Sequence, residues 1–140
     1  MGHFEEEIAR HKSSLILHGG DTQRMGESRM KIVKLNELET REIPLGRKSK
    51  QVITEAVGAK NIEIGWISFP PRFESEKHLR EVEELLIPLE GKGYIKTVEE
   101  EFDIAPGMII FLAPGDAHWH GTRESSLTQY YIFAPPLPKK

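Results

Sequence analysis

From residue 30 onward the apolar residues of this chain recur at every second position, the period of a strand rather than of a helix. The runs KIVKL, KQVITEAV, IEIGWISF, EELLIPLEG, GYIKT, EFDIA, MIIFLA, AHWHGT and LTQYYIFAP are short and rich in β-branched and aromatic residues, with glycine, proline and charge clusters between them. Alternate residues of a strand point to opposite faces, so each run can give one face to a core. Runs of this kind with no helix among them predict an all-β antiparallel sandwich or barrel. Pro88, inside EELLIPLEG, cannot donate to a ladder and predicts a bulge or an unpaired edge at that point.

The beginning of the chain reads differently. Phe4, Ile8, His11 and Leu15 recur at near-helical spacing, which predicts a short amphipathic helix over residues 3–15. The polar, glycine-containing stretch GGDTQRMGESRM follows and reads as a linker. The expected organisation is therefore an N-terminal arm or linker over residues 1–29 and one β-barrel domain over residues 30–140.

Composition removes several classes of function. With no cysteine there are no disulfides and no thiolate metal sites, so a metal must be held by nitrogen and oxygen. A net charge of -3 and a pI near 6.1 argue against a grip on phosphate backbones, and no nucleic-acid partner is expected. The N-terminus is acidic where a secretory signal is cationic. The longest apolar run, MIIFLAP, falls far short of the ~20 residues a membrane helix needs. The expectation is a soluble, cytoplasmic protein without a membrane partner.

Of the six histidines, His3, His11 and His18 lie in the arm and show no carboxylate at ligand spacing. His78, His118 and His120 lie among the strand runs. His118 and His120 are two apart and share a strand face, so they can present two imidazoles to one ion. Glu84 shares its face with Leu86, which aims a carboxylate at an apolar interior, where an unpaired charge is costly.

Here the sequence resembles the cupin family, whose two motifs can be written G-x5-H-x-H-x3-E-x6-G and G-x5-P-x-G-x2-H-x3-N. On RFESEKHLREVEELLIPLEG, His78, Glu84 and Gly91 match, while Arg72 stands for the first glycine and Arg80 for the second histidine. On GMIIFLAPGDAHWHGT, Gly107, Gly115 and His118 match, while Ala113 replaces the proline and Thr122 the asparagine. Fifteen residues separate Gly91 from Gly107, which suits a short hairpin. The resemblance implies a double-stranded β-helix (the cupin or jelly-roll barrel). It also implies one divalent ion, Fe, Mn, Ni or Zn, with His78, Glu84 and His118 as ligands and His120 as a candidate fourth.

Arg80 cannot replace the missing ligand, because guanidinium stays protonated and has no lone pair to give. Three readings stand: an anchor for a substrate anion beside the metal, a positive partner for Glu84 in a metal-free barrel, or a surface pair with Glu76 or Glu81 after an outward turn. Tyr131 is the remaining candidate substrate contact, weighed against simple packing. The resulting expectation is a metal-dependent enzyme of oxygenase, isomerase or lyase type acting on a small polar or acidic molecule. Against it stand a non-catalytic binding or sensing module and a storage role. A homodimer is expected, joined through strand edges in residues 30–60 and the arm.

Overall fold

The computed structural model describes residues 29–138, so the helix expected over residues 3–15 and the linker behind it lie outside the described residues. Residues 29–34 take no regular structure, and the strand expected at KIVKL does not form. The chain turns instead through a 3-10 helix, Leu35–Glu37, closing Leu38 N onto Leu35 O at 3.1 Å. Asn36, a residue suited to turns, sits in it.

Nine strands follow among the described residues. They are β1 (Arg41–Ile43), β2 (Arg47–Ile53), β3 (Glu63–Phe69), β4 (Glu83–Gly91), β5 (Gly93–Lys96), β6 (Glu101–Ile104), β7 (Ile110–Leu112), β8 (Trp119–Gly121) and β9 (Leu127–Ala134). The run KQVITEAV divides: β2 ends at Ile53, and Thr54 caps a 3-10 helix, Glu55–Val57, by accepting from Ala56 N. Gly58, at φ 95°, ends that helix in the left-handed conformation that glycine adopts without strain.

All pairings are antiparallel. Six strands form one sheet in the order β1-β2-β3-β9-β4-β7, and three form the other in the order β6-β5-β8. The register of β4 on β9 shifts between Pro88 and Glu90, so the proline does sit at a bulge. Alternation places Phe69, Leu86, Leu112 and Leu127 of the large sheet against Ile95 and Ile104 of the small one, with Phe73 joining them. Leu86 has no exposed surface, and cutting it to alanine would cost about 2–5 kcal/mol in lost transfer energy and cavity. Among the described residues no helix is long and apolar enough to cross a membrane.

The motif positions keep the turns they were matched on. Gly91, Gly107 and Gly115 have φ of 81°, 99° and 87°. Arg72, standing where the motif has glycine, has φ 58°, so the glycine conformation is kept without the glycine.

Candidate metal centre

Residues 73–78, irregular and polar after Phe73, run antiparallel to β8. Thr122 N donates to Phe73 O at 2.8 Å, Ser75 N to His120 O at 2.8 Å, and His78 N to His118 O at 2.7 Å, with His118 N returning to His78 O at 3.0 Å. Side chains reinforce the seam. Ser75 Oγ accepts from His120 N at 2.9 Å, and the Thr122 hydroxyl accepts from Phe73 N at 3.0 Å while donating to Pro70 O. This backbone seam carries the first motif onto the second.

The three imidazoles converge as a result. Ring centroids lie 5.5 Å apart for His78 and His118, 4.9 Å for His78 and His120, and 4.9 Å for His118 and His120. One ligand atom from each lies within 4.8 Å of the others. Two nitrogens on one ion can be at most about 4.2 Å apart, twice a ~2.1 Å bond, so the set must draw together to bind one. Phe69 stacks on His120 at 5.9 Å and holds that ring from behind.

The proton positions suit a cation. His118 Nδ1 lies 2.9 Å from the Asp116 carbonyl, which only accepts, so Nδ1 carries the proton and Nε2 keeps its lone pair. His118 Nε2, His78 Nδ1 and His120 Nδ1 are all buried without a hydrogen-bond partner. Burial, joined by the Arg80 charge, pulls His78 down to about 4. Burial also lowers His118, against the opposing bond to Asp116, and takes His120 well below the usual histidine range. All three rings are neutral at pH 7, the form that ligates.

Glu84 stands beside this triangle rather than inside it. It is 3% exposed, and its Oε1 lies 3.6 Å from His118 Nε2. With His118 neutral this contact is not an ion pair, and neither atom has a hydrogen bond. Burial raises the Glu84 carboxyl to about 7, with the Arg80 charge working against the rise. A carboxyl in a nearly closed space beside three lone pairs is an arrangement that a divalent ion would relieve. The donor set therefore fits such an ion.

Arg80 turns inward. Its Cζ lies 5.5 Å from the Phe133 ring centroid, its Nε is buried without a partner, and its charge bears on all three histidines and on Glu84. Among the described residues it forms no ion pair with Glu76, Glu81 or Glu84. Tyr131, on the inner face of β9, lies across Gly65, where an added Cβ would collide with the phenol ring. Its ring sits 5.3 Å from Phe133, and burial raises its phenol pKa.

Three participants were missed by sequence reasoning: Ser75, Phe69 and the Asp116 carbonyl. Gln129, buried on the same face of β9 as Tyr131, was missed too, although alternation along LTQYYIFAP marks it as inward. A cavity of about 620 Å³ opens elsewhere, by Lys92, Asp103 and Arg123. It contains no histidine, and Arg123 is already paired with Asp103 and Glu101. Among the described residues it is the imidazole cluster that could hold a metal ion.

No family model matches the chain, and no curated protein matches its sequence. Solved structures do resemble it. The polyketide cyclase RemF from Streptomyces resistomycificus superposes with a TM-score of 0.72 at 18% identity, over 79% of this chain and 82% of that one. An RmlC-like cupin from Shewanella frigidimarina gives 0.65 at 16%, over 74% and 88%. A predicted oxalate decarboxylase from Thermotoga maritima gives 0.66 at 16%, over 75% and 99%. At such identities the likeness speaks for fold alone: the chain has the cupin fold, a double-stranded β-helix of two antiparallel sheets.

Proposed function

We propose that this chain is a metal-dependent enzyme acting on a small acidic molecule, with His78, His118 and His120 holding one divalent ion, Glu84 adjoining it, and Arg80 and Tyr131 receiving the substrate. The observation that carries this reading is the gathering of three neutral histidines, each offering one ligand nitrogen within 4.8 Å of the others'. Iron, manganese, nickel and zinc all suit such a nitrogen and oxygen donor set. Bound there, the ion would supply Lewis acidity, an orienting template or an oxygen-binding centre.

The protein's own groups divide the remaining work. The Arg80 guanidinium, backed by Phe133 and left without an ion pair, binds a carboxylate in bidentate fashion and sets the substrate beside the imidazoles. Leu86 and Phe69 exclude bulk water from the inner space. Two fold relatives, a polyketide cyclase and a predicted oxalate decarboxylase, lend weight to an enzyme of oxygenase, isomerase or lyase type. The working place is the cytoplasm, with no nucleic-acid partner. The assembly is a homodimer, for which the edge strand β1 and, beside β7, the exposed Ile109 and Phe111 are candidate surfaces.

Thermal shift with a panel of small carboxylates tests the reading, run on metal-loaded wild type, Arg80→Met and His118→Ala. An acid that stabilises wild type and loses its effect in both variants is the expected result. Stabilisation lost only in Arg80→Met would support a non-catalytic binding module, and stabilisation kept in both would reject the site.

A further inference from the structure

Gln129 is 1% exposed, and its Oε1 has no hydrogen-bond partner among the described residues. It shares a face of β9 with Leu127, Tyr131 and Phe133, the face turned towards the small sheet. Its cross-strand neighbours are Ile67 on β3 and Pro88 on β4, whose side chains offer no hydrogen bond. A buried carboxamide left unmet is destabilising, whereas a leucine of similar volume would fill the same space without that penalty. No group among the described residues donates to Gln129 Oε1.

We infer that Gln129 reads a hydroxyl group on the ligand whose carboxylate Arg80 holds, an assignment that rests on the anion-anchoring reading of Arg80. A hydroxyl both donates and accepts, so it satisfies either atom of the amide. Phe133, beneath the guanidinium, and Gln129 are four residues apart on one strand face, about 13 Å between Cα atoms at strand rise. Tyr131 stands between them on the same row of β9. The ligand class is therefore a hydroxylated carboxylate whose hydroxyl lies several bonds from its acid group. Gln129 sets specificity, because an acid without the hydroxyl would bury the amide unmet.

Titration calorimetry tests this with two matched pairs, butanoate with 4-hydroxybutanoate and hexanoate with 6-hydroxyhexanoate, on metal-loaded wild type, Gln129→Leu and Arg80→Met. Wild type is expected to bind at least one hydroxy acid about 10-fold or more tighter than its plain partner. Gln129→Leu should bring that ratio to within about 2-fold by weakening the hydroxy acid alone, while Arg80→Met weakens both acids and leaves the ratio standing. Equal affinities in wild type, or a ratio unchanged by Gln129→Leu, overturn the assignment even if Arg80→Met weakens every acid. A hydroxyl preference lost in Gln129→Leu but acids indifferent to Arg80→Met would overturn the anchor and keep Gln129. No binding of any of the four acids overturns both. The ligand-free melting temperature gives an independent check: Gln129→Leu should melt at or above wild type, and a fall of more than about 5 °C would show that the fold itself uses the amide.

Discussion

His78 and His118, forty positions apart, face each other across a two-hydrogen-bond antiparallel bridge, with their rings 5.5 Å apart and nearly perpendicular. The main chain thus brings the imidazoles together before any ion does. A site set up in this way loses little conformational freedom on binding metal, unlike small domains that fold only around their ion.

Ser75 tests how far the seam matters. Its hydroxyl accepts from His120 N at 2.9 Å and donates to Glu76 O at 2.8 Å. Ser75→Ala should cost about 1–3 kcal/mol in urea unfolding, the penalty of a buried donor left unmet. Metal affinity should weaken as well, since groups that orient ligands typically contribute 10-fold or more. Unchanged affinity would show that His120 is positioned without this bond.

Glu84 gives a pH dependence of definite sign in chelator-treated protein. Its folded pKa is raised to about 7 against 4.5 in the unfolded chain, so its contribution to stability is intact below 4.5 and is lost as pH rises through 7. Glu84→Gln should therefore gain on wild type by up to about 3 kcal/mol at pH 8, and the gain should disappear at pH 4. Urea unfolding at the two pH values measures the difference. The depressed pKa of His78 acts oppositely in both proteins, favouring the fold above 6.5 and withdrawing that support as pH falls towards 4, so it cancels in the comparison.

Arg72 and Gly91 separate strain from fit. Arg72 holds φ 58°, and Arg72→Gly should stabilise by about 0.5–1 kcal/mol, the left-handed penalty removed less the entropy cost of glycine. Gly91 combines φ 81° with a backbone neighbour, because an added Cβ would run into the Ser126 carbonyl oxygen. Gly91→Ala should cost about 3 kcal/mol or more. Thermal denaturation ranks the two, and a loss on Arg72→Gly would mean that the arginine side chain contributes more than its backbone costs.

The strands from β3 to β9 were legible because alternation, as in IEIGWISF and EELLIPLEG, is the direct signature of a face buried between sheets. The strand β1 was not: REI is three residues long and owes its pairing to a turn in which Leu45 and Gly46 take φ of 68° and 78°. The seam that places His78 was hidden for a similar reason, since FESEKH has no apolar period and its pairing with β8 is fixed by hydrogen bonds rather than burial alone. Without a regular strand at residues 78–80 there is no parity rule for Arg80, so its inward turn could only be one reading among three. Glu84 was legible as an inward carboxylate, but its place beside the triangle depends on how two sheets meet, which no local pattern encodes.

The central claim is that His78, His118 and His120 bind one divalent ion together. Elemental analysis of protein purified without chelator, after expression with iron, manganese, nickel and zinc all supplied, tests it most directly. The expected result is about one equivalent of a single metal per chain, abolished or cut at least about 10-fold by His78→Ala, His118→Ala or His120→Ala in variants that still melt cooperatively. Wild-type protein with no bound metal, or metal retained in all three variants, would contradict it.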